Sequence, residues 1–388
     1  RNESSAASDV YKRQGGNMNQ DILNSGFIPE VICEQLPEGF EDIELLAEEL
    51  PKVLANEQIT DRISKLEIEK DISKLSLSEL ERAMLLYSYI GHAYMWGKSK
   101  VENVIPIQIS KTWYEISQKL HRPPILSYAS YALNNWKIAD PDKPFDVENI
   151  SIMQNFLGGV DEDWFIMIHV AIEYEAKEIL SNLKSYFLEK NLDQTYLQKA
   201  LDSIKKINSI MNRMPEKCDP FIYYNRVRPY IFGWKNNPAT PDGVIYEGVD
   251  AYNGEPQLFR GETGAQSSIV PALDALLGVT HSNDPLREYL DEMRLYMPKE
   301  HRELLNGLDE WSKNERTKLN INQESVEIIN ELIKEVHTFR DKHLEYARVY
   351  IYEQSLTNNS NSNIVGTGGT PFMKYLDKHL QETVPAND

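Results

Sequence analysis

Two histidines fall where a helix would carry them inward. In the last long helical pattern the apolar positions run Ile329, Ile333, Val336 and Phe339, then His343, then Tyr346 and Tyr350. That spacing puts His343 on the predicted buried face and His337 off it. An earlier pattern carries Phe165, Ile168, Ile172, Ala176 and Ile179, with His169 beside Phe165 and Ile172. Each histidine has two readings. One is a core residue with a hydrogen-bonded ring. The other is a ligand to haem iron, which needs one strong nitrogen, an apolar slot and a few cations for the propionates. The segment FIYYNRVRPYIFGW sets Arg226 and Arg228 among aromatic residues. Two apart, they cannot face one pocket from a helix, so one is solvated. The other forms either a fork with a buried carboxylate or a structural salt bridge. FRGETGAQSS (259–268) and GTGGT (366–370) could bring backbone close to a ligand, or could simply be tight turns.

Other chemistry is not signalled. No HExxH, EF-hand loop, P-loop, Rossmann glycine pattern or GxSxG elbow occurs, and no two-histidine-plus-carboxylate cluster is evident at helical spacing. The two cysteines, Cys33 and Cys218, make neither a disulfide framework nor a zinc spacing, so a reducing cytoplasm is the expected compartment. Lys plus Arg number 41 against 60 Asp plus Glu, a formal charge of −19. Such a surface repels phosphate backbones and anionic membranes, which argues against nucleic-acid and membrane partners. No apolar run approaches the ~20 residues that span a bilayer. Residues 1–17 read as a non-native or mobile leader before Met18.

The elements that must position these residues are helical, since the hydrophobic period is close to 3.6 almost throughout. Helices are predicted over residues 41–54, 59–72, 76–94 (with Ser76 as N-cap), 110–120, 128–136, 163–187, 192–214, 266–277, 284–297 and 325–354. Residues 104–109 and 244–249 are the only strand candidates, both minor. The Pro/Gly-rich stretch 233–262 is long for a plain loop and is expected to wrap over something. NNSNSN (358–363) reads as flexible, with a short helix expected from Pro371. The expected architecture is all-α: a small N-terminal helical domain, 18–124, and a large C-terminal helical bundle, 125–388.

Several segments together carry a family resemblance: YMWG (94–97), PPILSYASYALNNW (123–136), RPYIFGWKNNPATPDGVIYEGV (228–249), FRGETGAQSSIVPALDALLGV (259–279), MRLYMPKEHR (293–302), FRDKHLEYARVYI (339–351) and GTGGT. In this order, over residues 26–380, the chain resembles the indoleamine 2,3-dioxygenases, all-helical haem enzymes of tryptophan breakdown. The resemblance implies haem b in the large domain, with His343 as proximal iron ligand. It implies that Arg228 binds the substrate carboxylate and that Tyr128, Phe165, Tyr223 and Tyr224 line the pocket. Gly264 and Ala265 would line the haem and meet the substrate amino group, and Thr367 would lie over the pocket on a mobile loop. Two positions depart from the animal pattern. His169 stands where those enzymes carry a small serine, a placement anchored by the matching Glu173, and resembles the distal histidine of the tetrameric tryptophan 2,3-dioxygenases. Pro229 replaces an aliphatic residue and is expected to kink the helix carrying Arg228.

The implied reaction is O2-dependent opening of the indole C2–C3 bond of L-tryptophan to N-formylkynurenine. His169 would accept the indole N–H or orient bound oxygen. The expected protein is a cytoplasmic monomer, with weak self-association as the variant, and needs an external reductant. Two alternatives stand beside it. One is a bacterial-type haem enzyme of indole secondary metabolism, rearranging a tryptophan derivative or inserting one oxygen. The other is a haem- or indole-binding sensor without turnover.

Overall fold

The computed structural model describes residues 18–357 and 373–385. The expected leader, the 358–363 run and GTGGT with Thr367 lie outside the described residues. What is described is helical apart from two two-stranded pieces, so the all-α expectation holds.

Three helices make the central bundle: Val160–Leu183, Gln194–Met211 and Gln323–Ala347, the middle one packed along both others. The middle helix buries Leu197, Ala200, Leu201, Ile204, Ile207 and Met211, the i, i+3, i+4 stripe of a helix with one apolar face. Val160–Leu183 buries residues around most of its circumference, as the centre of a bundle requires. Its first turn holds Asp161, Glu162 and Asp163, negative charge at the positive end of the helix dipole.

The helix Leu77–Trp96 is also buried nearly all round. Ser76 and Glu79 close a capping box: Ser76 Oγ accepts from the Glu79 N–H at 3.3 Å and Glu79 Oε2 accepts from the Ser76 N–H at 2.7 Å. This helix reaches the Arg228 segment through two side chains. His92 Nδ1–H donates to the Tyr230 carbonyl at 2.8 Å while Nε2 accepts from the Leu126 N–H at 3.1 Å. Trp96 Nε1–H donates to the Phe232 carbonyl at 3.0 Å. The backbone just beyond Arg228 is thereby held from one side.

The long stretch after it does wrap. Trp234 is fully buried and donates to Tyr246 Oη, which donates in turn to the Pro124 carbonyl. The two minor strand candidates prove to be partners: Val104–Ile105 pairs in parallel with Ile245–Tyr246. Gly233 and Gly261 cross backbone to backbone. A Cβ on Gly233 would meet Gly261 N at 2.1 Å, and one on Gly261 would meet Gly233 N at 2.3 Å. Only two glycines allow this crossing, and it locks the Arg228 segment to the loop carrying Gly264.

Four sequence expectations are corrected. The 41–54 helix divides into Glu41–Glu48 and Leu50–Ala55, since Pro51 suits the first turn of a new helix. The 59–72 helix ends at Ser64. The 128–136 helix is a π-helical turn, Ala129–Leu133, after which Trp136–Ile138 pairs antiparallel with Ile150–Ile152. The helix Lys299–Asn314 escaped notice because its buried stripe is only Leu304, Leu305 and Leu308.

Candidate active site

Ring contacts bring several of the singled-out side chains together. Phe165 and His169, one turn apart on Val160–Leu183, have ring centroids 4.7 Å apart. Tyr223 packs on Phe165 at 4.6 Å, and Tyr128 meets His169 edge-on at 6.0 Å. Tyr350, two turns beyond His343, packs edge-on to Tyr223 at 5.7 Å. Tyr223 and Tyr224 lie in the π-helical turn Tyr223–Val227, Tyr128 directly precedes another, and Tyr350 lies in a third, Arg348–Tyr352. Such wide turns re-aim side chains and recur at functional sites.

Arg226 is the solvated arginine and Arg228 the buried one, 4% exposed. The Arg228 guanidinium lies over the rings of Phe232 and Tyr224, at 4.5 and 5.2 Å. Burial lowers its pKa against the opposing pull of Tyr223 and Tyr224, but an arginine stays charged at neutral pH. The kink expected at Pro229 does not fall on Arg228. Pro229 cannot donate four residues back, and the chain ahead of it widens into the π-turn. Arg228 stays helical (φ −55°, ψ −40°) and the chain turns extended only at Phe232.

His169 is fixed in tautomer. Its Nδ1 lies 2.7 Å from the Phe165 carbonyl. A carbonyl only accepts, so Nδ1 carries the hydrogen and the neutral ring keeps a lone pair on Nε2. Burial lowers its pKa, opposed by that hydrogen bond, so the ring is neutral at pH 7.

His343 departs from expectation. It was read as covered, yet its side chain is open to water-sized contact, although Ile333, Val336 and Tyr346 around it are buried. It is nonetheless deep in the protein. Burial first, then the His169 and Arg340 charges, bring its pKa down to about 4. Accessibility and depth disagree in this way where a side chain lines an internal space rather than the outer surface. Gly264 borders open space as well, since a Cβ there would touch nothing within 4 Å. A small apolar recess of about 10 Å³ is lined by Ile172, Ile269, Leu273, Val336 and Phe339. A neutral imidazole, apolar neighbours and open backbone at Gly264 are the chemistry that an iron-centred macrocycle requires.

Gln266 and Ser267 were not anticipated in a supporting role, and Glu173 was matched without one. Gln266, next to Gly264 and Ala265, accepts from the Tyr128 N–H at 2.9 Å and donates to the Gly261 carbonyl at 2.9 Å. Glu173 accepts from Tyr128 Oη at 2.8 Å and from Ser267 Oγ at 2.6 Å, tying the His169 helix to the Gly264 loop. A polar residue four positions from His169 was the available signal for Glu173. Nothing in the sequence marks Gln266 or Ser267.

Glu173 is fully buried, and Oε2 has no hydrogen-bond partner. Burial raises its pKa from 4.5 to about 7, against the two hydroxyl donors. The folded state therefore holds this proton more tightly than the unfolded chain does. Its contribution is fully present below pH 4.5 and is lost as pH rises through 7, a fall of about 3 kcal/mol. Glu173→Gln keeps an acceptor for both hydroxyls without the titration. The variant is expected to match the parent near pH 4 and exceed it by a few kcal/mol at pH 8, in urea unfolding at the two pH values. An unchanged difference would mean that the carboxyl is ionised in the fold.

Comparison with known proteins completes the description. The family described as Indoleamine 2,3-dioxygenase matches residues 20–386. Indoleamine 2,3-dioxygenase 1 of Rattus norvegicus is 34% identical over 372 residues, covering 90% of each chain. The Saccharomyces cerevisiae indoleamine 2,3-dioxygenase is 29% identical, covering 89% of this chain and 87% of its own. Indoleamine 2,3-dioxygenase nanC of Aspergillus nanangensis is 28% identical, covering 93% and 94%.

Proposed function

The chain belongs to the indoleamine 2,3-dioxygenase family, and from that premise we propose that it opens the indole C2–C3 bond of L-tryptophan to give N-formylkynurenine. As a family member it is a haem-dependent dioxygenase acting on an indole, with haem b as prosthetic group and O2 as co-substrate. Bound haem supplies the activation of O2; the protein binds, aims and encloses.

On this reading His343 holds the iron through its neutral imidazole. Arg228 takes the substrate carboxylate, its fork kept rigid by the rings of Tyr224 and Phe232. Phe165, Tyr128 and Tyr223 wall the indole. Gly264 and Ala265 meet the amino group, where the missing Cβ lets a ligand approach backbone. His169 Nε2 accepts the indole N–H, because its other nitrogen is committed to the Phe165 carbonyl. Thr367 closes over the pocket, as in the family pattern. The Glu173 bonds to Tyr128 and Ser267 hold opposite walls in register, so that positioning is built before substrate arrives. The reading includes a monomer with an external reductant in a reducing cytoplasm, supported by two cysteines that are free thiols. It also keeps 18–124 and 125–388 as the two domains. The first hydrophobic cluster nevertheless runs across that boundary, joining Ile28 through Leu120 to Ile125, Phe156, Ile231 and Tyr296.

The observation that carries the proposal is the cluster of Phe165, Tyr223 and Tyr128 around the fixed tautomer of His169, with buried Arg228 beside it on Tyr224. The test is product mass. Haem-loaded protein, reduced and given L-tryptophan and air, is expected to add two oxygen atoms to the substrate. One added oxygen or none with turnover would assign it to indole secondary metabolism, the reading a distal histidine also admits. Binding without product would make it a sensor.

A further inference from the structure

Away from this site, the helix Met373–Glu382 lies against Gln323–Ala347. Its His379 and Glu382, three apart, meet His281 from the loop after the helix Ile269–Leu277. Helical spacing relates only two of the three, because His281 is remote in sequence. One ligand atom from each of the three lies within 4.8 Å of the others.

His281 is held on two sides. Its Nε2 lies 2.9 Å from Asp274 Oδ2 and 3.3 Å from Arg340 Nη2, and Arg340 grips the same carboxylate through two nitrogens, at 2.9 and 2.5 Å. Its Nδ1 lies 2.8 Å from Glu382 Oε2. A proton between those two atoms would satisfy that pair alone. It would leave His379, 5% exposed, stacked on His281 at 4.3 Å with a buried, unpartnered Nε2. A metal ion uses all three groups.

We propose that His281, His379 and Glu382 form a second metal site, for a divalent transition ion of the zinc type, that staples the C-terminal helix to the bundle. Asp274 serves it as the carboxylate partner that commonly orients a metal-binding histidine. Ser282 Oγ donates to Glu382 Oε1 at 2.7 Å and orients the carboxylate. Ligands about zinc stand ~3.3 Å apart for bond lengths near 2.0–2.1 Å, so binding draws the three atoms together and turns the two rings, now 9° from parallel, until their in-plane lone pairs converge, with water as fourth ligand. Two imidazoles and one carboxylate favour zinc, nickel or copper over calcium or magnesium.

The test is calorimetric titration of chelator-treated holoprotein with zinc chloride. One zinc per chain is expected, with a raised Tm. His379→Ala and Glu382→Gln should each weaken binding at least tenfold and abolish the Tm rise. Asp274→Asn should weaken it about 10- to 100-fold. His121→Ala, at an exposed position remote in sequence, should bind as the parent does. If circular dichroism shows His379→Ala unfolded, Glu382→Gln decides, since it alters one atom near a helix end. No stoichiometric zinc in the parent, or equal binding by the folded variants, would overturn the site and leave a proton-bridged clasp.

Discussion

His343→Ala is expected to give a folded protein without a Soret band. Position 343 lies well inside the 25-residue helix Gln323–Ala347, and alanine is the best helix former, so the helix survives. The side chain lines an internal space and has no hydrogen bond among the described residues whose loss would unsettle the fold. What is removed is the one strong nitrogen on that wall. Its pKa near 4 leaves the imidazole neutral and able to bind metal throughout the physiological range. Added imidazole should partly restore the Soret band, because the space left by the side chain admits it. A variant that keeps full haem would remove His343 as the ligand and leave His169 to be tested in its place.

Arg228→Ala should raise KM for L-tryptophan far more than it lowers haem content. A buried cation paired with a substrate carboxylate is worth about 2–5 kcal/mol when one partner is cut away, ~30-fold to a few thousandfold in affinity. Arg228 is suited to that role because it is buried, charged and held between aromatic rings. Arg228→Lys should recover little, since a single ammonium cannot make the two-pronged contact. The comparison to make is tryptophan against an indole lacking the carboxylate. The variant should lose discrimination between them while its Soret spectrum stays close to that of the parent. An unchanged KM for tryptophan would take Arg228 out of the pocket.

Much of this was legible as pattern. Helical periodicity located the long helices, and Ser76 was legible as an N-cap, which the structure extends to a capping box with Glu79. The order of short motifs pointed to the family; His343 was singled out by its place on a helix face, whereas Gly264, and Arg228 over Arg226, came from the family resemblance. Period reports which face of a helix turns inward, but not what lies opposite. Hence His343 was expected to be covered by packing, whereas it lines a space that other elements leave open. Local rules likewise placed a kink at Pro229 without showing that the preceding π-turn would absorb it.

Chain chemistry alone determined an acidic, helical protein with imidazoles on apolar helix faces and a guanidinium among aromatic rings. Tertiary structure alone decided which of these meet. The Gly233–Gly261 crossing, the Gln266 bridge to Tyr128, the Glu173 link to Ser267 and the union of His281 with His379 and Glu382 all join residues far apart along the chain. Such contacts form only when packing closes long loops, and periodicity within one segment carries no information about its partner.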